Sequence, residues 1–185
     1  SPRWIPIRVG ISGSCWPYYR EDLEALVLRH PRLFPDFRKG SVDFDNPPVA
    51  SHQRAGAPYT DSWGCVWETS ENGISGIISK HPLADWNAFE SYTPPDPNVC
   101  NGRVPVDWAN VERHFAVARE KGGPLHATLI HGHTFLLLSY IRGFENLIFD
   151  MMEEHPNLAK LIAMVEAFNR AIVERYLRLG AVVMG

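Results

Sequence analysis

Leu125-His126-Ala127-Thr128-Leu129-Ile130 runs straight into His131-Gly132-His133, and the chain later reads Ala181-Val182-Val183-Met184. Both are short, mostly apolar, partly β-branched runs bounded by turn residues, which is how buried strands read. Between them Pro156 suits the first position of a helix. From there Leu158, Leu161, Ile162, Val165, Phe168, Ile172, Tyr176 and Leu179 form one apolar stripe at helical spacing. Gly180 closes that helix as a C-cap. Two shorter helices are expected before it, at 134–140 and 145–154, broken at Arg142-Gly143. Strand, long helix, strand in this order predicts a βαβ unit, and with it a parallel sheet and a right-handed crossover.

Working outward, Asp107 is a good N-cap for a helix whose Trp108, Val111, Phe115 and Ala118 share one face. Lys121-Gly122-Gly123-Pro124 supplies its basic last turn, glycine cap and proline stop. Residues 1–105 have another texture, rich in Pro, Gly and aromatics. A first strand is expected at 5–11 and a helix at 18–30, acidic early and basic late in keeping with the helix dipole. Cys65–Glu68 and Ile74–Ser79 flank Asn72-Gly73, a strong hairpin signal. Another short helix is expected at 84–92.

At 185 residues, 45% hydrophobic and 21% charged, the chain reads as one folded domain spanning residues 1–185 rather than a disordered one. A net charge of −3 gives no broad attraction for nucleic acid or an anionic membrane. No run of about 18 apolar residues is present to span a bilayer, and the first residues lack the pattern of a signal peptide. Cys15, Cys65 and Cys100 have neither the pairing nor the spacing of a disulfide framework or zinc knuckle, and read as free thiols of a cytoplasmic protein.

Several segments resemble distant members of the uroporphyrinogen decarboxylase superfamily, which includes corrinoid-dependent methyltransferases. They are Asp61-Ser62-Trp63-Gly64-Cys65-Val66-Trp67-Glu68, His81-Pro82-Leu83-Ala84-Asp85-Trp86, Tyr140-Ile141-Arg142-Gly143-Phe144-Glu145-Asn146-Leu147 with Asp150 beyond, and Tyr176-Leu177-Arg178-Leu179-Gly180-Ala181. The resemblance implies a TIM-type (β/α)₈ barrel. Such a barrel takes about 250 residues, so this chain is read as its N-terminal portion, about half, stopping before closure.

The family's decarboxylases hold substrate carboxylates with two arginines upstream of a tail that Pro17-Tyr18-Tyr19-Arg20 resembles. In this sequence those positions fall on Ser14 and Gly10. Neither can pair with a carboxylate, which a polyanionic porphyrinogen requires. The methyltransferases bind zinc through a His-x-Cys pair and a distant Cys, and no His-x-Cys occurs in this chain. Zinc and a corrinoid are therefore cofactors expected only of a full-length enzyme, with no metal ligand assigned to this chain.

The candidate site residues are Asp61 as a catalytic acid or base, with Ser14, Trp63, His131 and His133 as substrate-binding residues. Asp61 and Trp63 stand before a glycine, the Trp a planar wall for a ring. Against this stands an Asx-type turn with a packed aromatic. His131 and His133, at i and i+2 after a strand, are placed to face one side, or are simply loop histidines beside a glycine turn. Ser14 is expected to line a pocket after the first strand. Arg142 and Glu145 read as a structural ion pair or cap, and Asp150, Glu153 and Glu154 as a solvated helix face.

The leading expectation is a methyltransferase-type enzyme acting on a methylated or flat tetrapyrrole-like small molecule. A cofactor-free decarboxylase or lyase using Asp61 on a smaller substrate is the second. The third is a truncated, non-catalytic product that survives by self-association as a homo-oligomer, since an open half barrel exposes apolar edges.

Overall fold

The computed structural model describes residues 9–47, 49–122 and 125–184. The chain divides into two compact units: Ser1–Tyr59 with Glu68–Ile77, and Thr60–Trp67 with Ile78–Gly185. The expected first strand lies largely outside the described residues, as do the Gly123-Pro124 part of the helix stop and the last residue.

In the first unit, α1 (Cys15–Leu28) begins earlier than the charge pattern suggests and is kinked at Arg20, whose φ is +39°. Trp16 packs flat against Phe37 and Phe44, with ring centroids 5.6 and 6.3 Å away. Glu24, buried, accepts a hydrogen bond from Gly40 N at 2.6 Å. Most of residues 29–58 is irregular, which follows from its proline and glycine content.

Three short strands, β1 (Tyr59–Thr60), β2 (Val66–Glu68) and β3 (Ile77–Lys80), form an antiparallel sheet in the order β1-β2-β3. Asn72-Gly73 is not its two-residue turn. The Asn72 side chain accepts from Ala55 N at 2.9 Å and Gly73 N donates to Gln53 O at 2.9 Å, so the dipeptide ties down a long connection. A short 3-10 turn, Trp86–Ser91, stands where a helix was expected, capped by Asp85.

The second unit carries the regular helices. In α2 (Trp108–Glu120) Asp107 caps the start, accepting from Asn110 N at 3.0 Å. Strand β4 (His126–Ala127) is followed by α3 (Phe135–Arg142), α4 (Phe144–Met152) and α5 (Pro156–Arg178), then by β5 (Val183–Met184). Gly143, at φ +87°, breaks α3 from α4, and Pro156 begins α5. Leu161, Val165 and Ile172 of the α5 stripe, with Leu137, Ile141 and Leu147 of α3 and α4, which α5 contacts, are among the best-buried aliphatics of the unit, as is Leu83. Each such side chain contributes about 1.5–3 kcal/mol by leaving water.

β4 and β5 pair in parallel, His126 with Val183 and Ala127 with Met184, as the two opening runs predict. The half barrel does not form. Among the described residues the parallel sheet has only these two strands, two residues each, and the three-stranded antiparallel sheet is separate from it. Two physical causes stand out. The proline-rich N-terminal stretch supplies no further parallel strand among the described residues, and β1–β3 pair locally rather than through crossover helices.

Candidate functional site

Asp61 stands at a tight corner. Its backbone C=O accepts from Gly64 N and its N–H donates to Cys65 O, both at 3.0 Å, with Gly64 at φ +85°. Its side chain closes the corner: Oδ1 accepts from Trp63 N and Cys65 N at 2.9 Å, and Oδ2 from the Trp67 indole N–H at 2.7 Å. Only 6% of Asp61 is exposed. Burial pushes its carboxyl upward; the bonds from Trp67, Cys65 and Trp63 and the nearby Arg103 charge oppose that shift without cancelling it. The Trp63 and Cys65 amides and the Trp67 indole are all donors to these oxygens, which suits an acceptor-only carboxylate.

Trp63 is 1% exposed, meeting Phe168 edge-on at 5.1 Å, and leaves no face for a ligand. Tyr92 Oη donates to Trp63 O at 2.7 Å, and the Arg103 guanidinium lies 4.5 Å over the Trp67 ring. Asp61, Trp63, Cys65 and Trp67 are all buried, an alternation legible in the sequence as a packed edge. Asp61 and Trp63 are thus brought together as a structural corner.

Ser14 belongs to the first unit, at the N-cap of α1, where its hydroxyl and that of Ser12 are 2.9 Å apart.

The His131-Gly132-His133 turn leads from β4 into α3. Gly132 sits at φ +76°, and a Cβ there would come within 2.5 Å of Leu136 Cβ. Its carbonyl accepts from Leu137 N at 2.8 Å, starting the helix. Both histidines are exposed. His133 is fixed twice: its Nδ1 is 3.0 Å from Thr134 Oγ1, and its carbonyl accepts from the Asn169 side-chain amide of α5.

Next to His133 lies a cavity of about 380 Å³ between the start of α3 and the middle of α5. Leu138, Ile162, Val165 and Val173 form its apolar floor. His133, Thr134, Asn169 and an ion-paired Glu166 and Arg170 form its polar rim. His133 is the only sequence-predicted site residue that lines it; His131 does not. Nothing in the sequence singles out Glu166, Asn169 and Arg170, because they fall on the polar side of the α5 stripe, where solvated residues are the rule.

Arg142 and Asp150 correct another expectation. Asp150 is 4% exposed, not part of a solvated face, and it pairs with Arg142, Nε to Oδ2 at 2.7 Å. Arg142 also donates to Leu83 O at 2.9 Å and to Ala84 O, and stacks 4.5 Å over Trp86, whose indole N–H donates to Asp150 at 3.0 Å. All three nitrogens of the guanidinium donate hydrogen bonds within the core, which makes the pair structural.

Among the described residues no group of three or more His, Cys, Asp or Glu side chains is placed to hold a metal. Cys65 and Cys100 are buried and donate to the carbonyls of Tyr140 and Asp96 at 3.3 Å. Burial, reinforced by the Asp61 charge, drives the Cys65 thiol far up, opposite to what a zinc thiolate needs. These residues do not fit zinc. Comparison with protein-family models, with curated proteins and with solved structures finds no match to this chain. Among the described residues no helix is long and apolar enough to cross a membrane.

Proposed function

We propose that this chain belongs to a methyltransferase-type enzyme related to the uroporphyrinogen decarboxylase superfamily, and that it binds a small substrate with an apolar part and no large net charge in the cavity beside His133. The carrying observation is the charge balance of that cavity. Its one arginine, Arg170, is balanced by Glu166, so no net positive charge stands above a floor of four aliphatic side chains. A polycarboxylate tetrapyrrole needs several cations and far more room than about 380 Å³. The same conclusion comes from Ser14 and Gly10, which stand where the resembling decarboxylases carry arginines. No step of this reading is assigned to zinc or to a corrinoid. Three free thiols accord with a reducing, cytoplasmic setting.

The decarboxylase or lyase reading asks Asp61 to reach a substrate, and its enclosed, fully engaged carboxylate argues against that. Chemical-shift mapping tests the proposal. Anisole, a small methylated probe, is expected to perturb Leu138, Val165 and His133, while coproporphyrin leaves them unmoved. Binding of the porphyrin there, without anisole, overturns it.

A further inference from the structure

We propose that the cavity beside His133 takes a free α-amino acid with an apolar side chain, its two charges read by Arg170 and Glu166. The inference rests on that cavity being the ligand site argued above, and it names the substrate class.

Arg170 and Glu166 lie one turn apart on α5, with side chains 66% and 62% exposed. An exposed pair of this kind is held weakly, so either group is free to take a ligand atom. The pair as a whole is neutral. A lone anion drawn to Arg170 would face Glu166, and also Glu174, which lines the adjoining depression with both of them. A lone cation drawn to Glu166 would face Arg170. A zwitterion meets neither objection: its carboxylate accepts from the guanidinium, whose planar fork suits a bidentate bond, and its ammonium donates to Glu166. The charges then alternate around the rim instead of opposing one another.

The remaining surfaces agree. Leu138 and Val165 are buried and Val173 half-buried, while Ile162 is 41% exposed, an apolar side chain with an open flank. This floor receives an aliphatic or thioether side chain. His133 Nε2 has no hydrogen-bond partner among the described residues, and it adds a polar contact at the rim. A volume near the lower end of the roughly 300–1,000 Å³ range of ligand pockets suits a single amino acid, not a peptide.

Calorimetry with four probes sharing the isobutyl side chain tests this: L-leucine, isocaproate without the ammonium, isoamylamine without the carboxylate, and isoamyl alcohol with neither. Leucine is expected to bind about tenfold more tightly than either singly charged probe, since each lacks one charge-assisted contact. Arg170→Gln should erase the advantage of leucine over isoamylamine, and the amine should bind at least as tightly as before, since Arg170 no longer opposes it. Glu166→Gln should do the same against isocaproate. If leucine and isoamyl alcohol bind equally, and both variants are silent, the charge reading falls while the apolar cavity stands. If none of the four binds, the ligand site itself falls.

Discussion

Arg142 and Asp150 meet across the Gly143 break, one at the end of α3 and the other within α4, in a pair whose side chains are only 9% and 5% exposed. Burial alone would raise the Asp150 carboxyl. The hydrogen bonds from Arg142 and Trp86, with the charge of Arg142, outweigh that and hold it below the ordinary aspartate value. The unfolded chain therefore takes up this proton at higher pH than the folded one does. The stability contributed by the pair is complete above the unfolded value of about 4 and is lost as pH falls through the lower folded value.

Asp150→Ala should therefore cost about 3–5 kcal/mol near neutral pH, because Arg142 is left buried and unpaired. Urea denaturation at pH 7 and at successively lower pH measures both effects. The gap between wild type and variant should narrow only below about pH 4. A gap that stays constant across that range would show that the charge is not what matters.

Asp61 has the opposite sign. Its folded value is raised, so the ionised form carries a burial cost above that value, and acidification relieves it. Asp61→Asn removes the charge but turns an amide N–H toward the Trp67 indole N–H. A loss of about 1–3 kcal/mol is expected from the donor left without an acceptor. Trp67→Phe in the same chain should recover part of it, and a double-mutant cycle in denaturant reads the coupling. Additive losses would mean the two groups do not share the bond.

Gly132→Ala demands a left-handed backbone from alanine and drives its Cβ into Leu136. Destabilisation of more than about 1 kcal/mol is expected. Amide shifts should spread through 131–138 while those around Asp61 stay in place. Uniform shifts across the second unit would instead point to global loosening.

Native-state alkylation should distinguish the three thiols. Cys15 is half-exposed, whereas Cys65 and Cys100 are buried and donate to carbonyls. One thiol is expected to react promptly with iodoacetamide, and two only after unfolding. Peptide mapping that finds Cys65 alkylated in the folded chain would contradict its placement.

The sequence foretold what depends on local rules. Asp107 and Pro156 begin helices and Gly143 breaks one, because caps and φ restrictions act within a few residues. The α5 stripe buries Leu158, Leu161, Val165, Phe168 and Ile172. What escaped depends on meetings far apart in the chain. Asn72-Gly73 carries a hairpin's letters, yet its hydrogen bonds go to Gln53 and Ala55. Asp150 looked like a surface acid because nothing local announces that Arg142, across a helix break, turns inward to meet it. The barrel failed for the same reason: two apolar runs specify a parallel pair, not how many strands will join it. Of the site, His133 was legible from its position after a strand, and its partners on α5 were not.

Two neighbouring residues of α5 serve different masters. Phe168 packs edge-on against Trp63 of the Asp61 corner, and Asn169 grips the carbonyl of His133. Successive helical residues point about 100° apart, so α5 works as a keyed shaft. Turned by one residue in one sense, it would present the Asn169 amide to the indole and Arg170 to the turn, and in the other sense Ala167 to the indole and the Phe168 ring to the turn. The corner and the cavity mouth are thus indexed to each other by a single helix phase, and a change that rotates α5 at one of them will be felt at the other.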